Sequence, residues 1–342
     1  MPTYTTHEVV IYHDETAFEN GTIKGHVLLF VPVRIAGTST TPLFGAHHFQ
    51  YDPHELLFNE VIHLREYYKI DKKLHFTDIT GTKWGKFDLG TRAIILTVID
   101  ALRHKSSDCF KRPLACKLGI LFYPKDADYS LYGTIPKGEQ KLRHHETMLR
   151  ILLKGTAHHL YNDFDRVVIH KIISDGQPYR RPLSEDRVIW RITMDELHGK
   201  APLRDYVTFA PSTQIVHLQS DHKLYKPDTA QYISANLLQV SDLLLGSAIR
   251  SCYVGSTNWP SPPRLGTEHI PKKDVISYPL KEMLDKVNRK GGFQDSGHYR
   301  SFTLNEVEFS KGGVNFKPVT PKPMPTNDPN TSQPRLPIND FL

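Results

Sequence analysis

Apolar residues along this chain switch between strand-like runs and helix-like spacing, and each switch marks an element. A compact apolar run over residues 9–13 and a longer one over 24–33 are separated by Glu19, Asn20, Gly21 and Thr22. Turn-forming residues between two such runs predict an antiparallel hairpin. The stretch 40–51 can add a third strand. Beyond it, Leu56, Val61, Leu64 and Tyr68 recur at helical spacing behind Asp52, a natural N-cap, with Pro53 at the first helical position. The pattern then alternates: a helix over 90–104, a buried strand over 116–123, a long helix over 139–161, strands over 166–176 and 215–221, and a strongly apolar helix over 230–250. A leading hairpin followed by alternating helices and strands predicts an α/β fold, a mixed sheet covered by helices.

After residue 258 the texture changes. "WPSPPRLG" reads as a linker, followed by a helix over 277–290 and a strand over 299–309. Between Arg264 and Pro323, eleven Lys and Arg face seven Asp and Glu. We therefore expect a main domain over 1–258, a basic accessory segment over 259–316, and an extended or disordered Pro-rich tail over 317–342 whose final "PINDFL" offers a docking segment for a protein partner. The whole chain of 342 residues carries 43 Lys and Arg against 37 Asp and Glu, a mild positive excess that permits a polyanionic partner without requiring one. Cys109, Cys116 and Cys252 form no C-x-x-C pair and read as core packing, which makes a reducing cytoplasm the simplest compartment. No run approaches the ~20 apolar residues of a membrane helix, and the first residues lack the pattern of a secretory signal.

Candidate chemistry lies in the acids. Asp14, Asp175 and Asp221 stand at predicted strand ends, where α/β sheets often present functional side chains, although Asp is also a common turn residue. Asp242 is less ordinary. The helix around it, "ANLLQVSDLLLGSA", is apolar on nearly every side, so an ionised carboxylate there needs a cationic partner. Gln239 and Gly246 share its face and leave room for close approach. Carboxylates gathered from distant segments repel one another unless a hard divalent cation, Mg²⁺ or Mn²⁺, sits among them, as one ion or two. Glu15 follows Asp14 directly. In an extended strand it points to the opposite side and joins the same ion only through a turn in the backbone.

"IYHDET" resembles the opening Asp-Glu-Ser motif, and "LLQVSDLLLGSAIR" the late Q-x-A-D-L helix, of the domain of unknown function 3800 family, regarded as ribonuclease H-like or integrase-like metal-dependent nucleases. Thr16 and Ser241 depart from that pattern, standing where Ser and Ala are usual. The resemblance covers roughly residues 9–250. It implies a ribonuclease H-like sheet, a metal site built from Asp14, Glu15 and Asp242, roles for Gln239 and, through "KKLHFTDI", for His75, and hydrolysis of DNA or RNA phosphodiesters. Asp175 is added from its strand end alone. Arg180, Arg181, His222 and Lys223 follow strand ends and are candidates to contact phosphate or move protons. Two other readings fit the same residues: a catalytically quiet nucleic-acid-binding or scaffold subunit, and a nucleotide phosphohydrolase. The tandem histidines at 47, 144 and 158 read as solvated, because neighbours on a helix point about 100° apart. "GTKWGK" lacks the spacing of a P-loop.

Overall fold

The computed structural model describes residues 5–18, 22–41, 45–102, 115–125, 135–161, 165–176, 182–193, 203, 205–254, 271–288, 301–310 and 313–319. Its strands are β1 (Thr5–Phe18), β2 (Ile23–Thr41), β3 (Gly45–Tyr51), β4 (Lys117–Pro124), β5 (Asp165–Asp175), β6 (Val207–Leu218), β7 (Phe302–Ser310) and β8 (Gly313–Pro318). Its long helices are α1 (Pro53–Tyr67), α2 (Lys86–Leu102), α3 (Lys137–Leu160), α4 (Ala230–Ile249) and α5 (Lys272–Asn288). All eight strands join one mixed sheet in the order β6-β5-β1-β2-β4-β7-β8, with β3 paired to β2.

The expected hairpin is β1–β2, antiparallel from end to end, and β5 lies parallel on the far side of β1. Opposite Val9 the pairing shifts by one residue on both sides: Val33 of β2 and His170 of β5 are extra residues that β1 does not match. Being central, β1 is buried on both faces, which explains its nearly unbroken apolar run. Tyr12 and Val27 face a core built with α1, α2, α4 and α5. Val9, Ile11 and Leu28 face a second core built with α3 and the segment around Val188. The protein is thus helix, sheet, helix in section. Cys116 and Cys252 are buried in the first core, and burial pushes each thiol up to about 12.

The start of α1 is as its sequence dictates: Asp52 caps it, accepting a hydrogen bond from the Glu55 amide at 3.0 Å, with Pro53 in the first turn. The strand expected over 215–221 is the end of a longer β6 and stops at Leu218, so Asp221 instead caps a short turn, accepting from the Lys223 amide at 3.1 Å. Among the described residues no helix is long and apolar enough to cross a membrane.

The segment expected to be accessory, 259–316, is part of the central body wherever it is described. Strand β7 lies parallel to β4, and Val275, Ile276, Leu280, Met283 and Leu284 of α5 are buried. The linker-like "WPSPPRLG" hid this in the sequence, because composition marks a break in the chain and not a break in the core. Two ion pairs dock the helix: Lys272 Nζ lies 2.7 Å from Asp88 Oδ2 of α2, and Arg250 Nε bonds Asp274 Oδ1. The tail over 320–342 lies outside the described residues. If α5 is integral, removing one partner of the buried Lys272–Asp88 pair strands a charge. Lys272→Ala should lose about 3 kcal/mol in denaturant unfolding, and the double variant with Asp88→Ala less than the sum of the singles.

Candidate functional site

The parallel pairing of β1 with β5 runs to His13 level with Ser174, so the next residues, Asp14 in β1 and Asp175 at the end of β5, lie side by side just past it. Residues level on neighbouring strands point to the same face. That face is covered by α4, which carries Asp242 across the strand ends. The three acids come from positions 14, 175 and 242 and converge near the carboxyl end of β5.

Their charges act on one another. Burial, then the negative charges of Asp242 and Asp175, raise the Asp14 carboxyl well above the usual carboxylate range, against a hydrogen bond from the Glu15 amide at 2.7 Å. Burial also raises Asp242. His75, the Phe76 amide and Lys73 oppose that rise, and Asp175 adds to it. Asp242 Oδ2 accepts from the Phe76 amide at 2.7 Å, while its Oδ1 lies 3.7 Å from His75 Nε2. Asp175 is held by one residue through both oxygens, accepting from the Ser220 amide and the Ser220 hydroxyl at 2.8 Å each. Lys273 of α5 feels the charge of Asp242, and its ammonium sits 5.4 Å from the centre of the Phe76 ring.

Gln239, one turn before Asp242, holds this arrangement together. Its side chain is fully buried and is bonded at both ends. The carbonyl oxygen accepts from the Leu74 amide at 2.7 Å and from Arg65 Nη2, and the amide nitrogen donates to the Ser220 carbonyl and faces His222 Nδ1 at 3.3 Å. One side chain therefore fixes the segment carrying His75 and Phe76 and the loop whose Ser220 holds Asp175. Arg65, itself buried, completes the clamp by donating to the carbonyls of Ile70 and Lys72. Gly246, one turn after Asp242, works by absence. A Cβ there would lie 2.2 Å from Phe76 Cγ, so only glycine lets that ring settle on α4 with its amide aimed at Asp242.

Of the residues expected from sequence, Asp14, Asp175, Asp242 and His75 are brought together. Four others are not. Glu15 faces the opposite side of the sheet, because β1 stays extended through both acids; it pairs with His145 Nδ1 at 2.5 Å and lies 4.0 Å from Lys24 Nζ. Gln239 is a buried clamp and not a substrate contact. His222 is buried beside it, and burial lowers its pKa to about 4. Lys223 turns outward to Asp71 at 2.7 Å. Arg180 and Arg181 lie outside the described residues. Of the tandem histidines, His158 and His159 are exposed as expected, but His144 and His145 are buried, since α3 lays that side of the helix on the sheet. Sequence reasoning missed Ser220, Arg65, Lys73 and Lys273. "KKLHF" contains one lysine of the pair, but no periodic signal separates it from any other solvated charge.

No family model matches the chain, and no curated protein matches it at a significant level.

Two predictions follow from this geometry. Gly246→Ala should displace the Phe76 ring and cost about 2 kcal/mol in denaturant unfolding, the usual scale of overpacking. Asp14→Asn should stabilise the metal-free protein. A carboxyl whose folded pKa is raised contributes its stability fully below the unfolded value of about 4 and loses it as pH rises through the folded value. The variant escapes that loss. Its melting point at neutral pH should exceed that of the parent by about 2 °C, the shift given by roughly 1 kcal/mol in a large domain. The difference should fade as pH is lowered toward about 4.

Proposed function

We propose that the protein is a metal-dependent phosphodiester hydrolase acting on nucleic acid, with Asp14, Asp175 and Asp242 as the residues that hold Mg²⁺ or Mn²⁺. The observation that carries this reading is the convergence of three carboxylates from β1, β5 and α4, two of them with pKa values raised by burial and by the other acids. An all-oxygen donor set under mutual repulsion fits a hard divalent cation. When bound, such ions make a nucleophile of water at neutral pH and stabilise charge on a phosphate.

The chain's own residues supply the rest. Ser220 fixes both oxygens of Asp175, and the Phe76 amide fixes one oxygen of Asp242, so each carboxylate keeps a set orientation. His75, whose side chain is 37% exposed, stands at the mouth of the site, where its imidazole can give or take a proton at a reacting oxygen. Lys73 and Lys273, whose charges act on Asp242, are better candidates than Lys223 to meet a phosphate. The strand arrangement supports a ribonuclease H-like architecture: an antiparallel hairpin leads, parallel strands extend the far side of β1, and a late helix delivers the last acid. The two motif segments that resemble the domain of unknown function 3800 family both contribute to this cluster.

Purified protein incubated with single- and double-stranded DNA and RNA and with nucleoside triphosphates, plus Mg²⁺ or Mn²⁺, tests the reading. Polymer cleavage should fall by at least about 10²-fold in Asp14→Asn and in Asp242→Asn, beyond the usual effect of removing an outer partner of a metal ligand. Mn²⁺ should raise the melting point of the parent and of neither variant. Cleavage that both variants retain would assign the activity elsewhere. Hydrolysis of nucleotides alone would make the protein a nucleotide phosphohydrolase, and stability indifferent to millimolar Mn²⁺ would favour a catalytically quiet binding subunit.

A further inference from the structure

On the other face of β1, directly behind Asp14, three histidines meet inside the core. His13 of β1, His26 of β2 and His145 of α3 are at most 1% exposed, and one ligand nitrogen of each lies within 4.8 Å of the others. We propose that this cluster is a second metal site, taking one divalent transition ion of the Zn²⁺ class through His13 Nε2, His26 Nδ1 and a nitrogen of His145, with Glu15 as its carboxylate partner.

The ring positions already suit such an ion. Centroid separations are 5.1 Å for His13–His26, 4.3 Å for His26–His145 and 6.0 Å for His13–His145. Three imidazoles around a tetrahedral ion at ~2.05 Å from each nitrogen place their ring centres about 5 Å apart. His13 Nε2 and His26 Nδ1 face each other at 2.8 Å, sharing one proton. Replacing that proton with an ion requires the two nitrogens to separate to about 3.3 Å, a shift of roughly half an ångström.

The outer partners fit either state. His13 Nδ1 lies 2.8 Å from the Ser174 hydroxyl, and His26 Nε2 lies 2.6 Å from the Tyr123 hydroxyl. A hydroxyl donates or accepts as needed, so both rings can turn a protonated nitrogen outward and a lone pair inward. Glu15 Oε2 against His145 Nδ1 supplies the carboxylate commonly found beside a metal-bound histidine. Imidazole and carboxylate together suit Zn²⁺, Fe²⁺ or Co²⁺ better than Mg²⁺. The site ties β1, β2 and α3 together and is independent of what the carboxylate site does.

Because the cluster is enclosed, the test loads it during folding. The full chain is unfolded with chelator, refolded with one equivalent of Zn²⁺ or Co²⁺, desalted, and its metal content measured. We expect about one ion per chain, visible-region Co²⁺ absorption typical of low coordination number, and a higher melting point than the metal-free protein. His145→Gln and His26→Gln should bind at least about 10-fold more weakly, and Tyr123→Phe should also weaken binding. If His26→Gln does not fold, His145→Gln carries the comparison. Asp14→Asn and Asp242→Asn should retain the ion. Refolded parent protein without bound metal, binding unchanged in His145→Gln, or binding lost in Asp242→Asn would each overturn the proposal.

Discussion

The candidate site depends on one buried amide. Gln239 has no contact with solvent, and a primary amide in such a place is costly unless its oxygen and its nitrogen are both satisfied. Here they are, by groups from three separate segments. The cost of leaving any of these bonds unmade is what makes the geometry specific: the segment at 74–76 and the loop at 220–222 reach their places together or the amide is left wanting. Asp242 and Asp175 inherit their positions from that closure. The site is therefore organised by a residue that never touches its chemistry, and the repulsion among its acids is borne by hydrogen bonds behind them.

Much of this could be read from sequence because it follows from short-range chemistry. The Asp52 cap, the hairpin and the apolar helix around Asp242 are local patterns with local causes. Asp242 stood out since no apolar helix hides a carboxylate without a reason, and Gly246 stood out as the small residue on its face. The separation of Asp14 from Glu15 follows from strand alternation alone. What could not be read depends on the tertiary structure. Nothing near Gln239 says whether its amide faces a ligand or a backbone, and nothing near Lys223 says that Asp71 will draw it outward. His145 looked solvated because its neighbours in sequence are polar, whereas its neighbours in space are β1 and β2. Ser220 carried no signal, for a serine after a strand is ordinary until an aspartate is seen to lean on it.

Integration of α5 and β7 into the sheet has a similar origin. A Pro-rich linker and a local charge excess suggested an appendage, yet every second or third residue of α5 is apolar, and burial of that stripe outweighs the composition of the loop before it. Lys273, which acts on Asp242, comes from this helix. The part of the chain that looked peripheral thus contributes charge to the centre.

The unmatched residue His170, opposite Val9, has a consequence for the whole sheet. Side chains along a strand alternate strictly, so the face on which a residue lands depends on whether an odd or even number of positions separates it from a fixed point. Were β5 to pair with β1 without the extra residue, Asp175 would come level with Glu15 and look toward the histidines. Asp14 would then lose its neighbour, and a carboxylate would be driven among buried imidazoles. The bulge resets the parity of β5 by one just before its functional end. A single unpaired residue in mid-sheet thereby keeps Asp175 on the face of Asp14 and away from the three buried histidines.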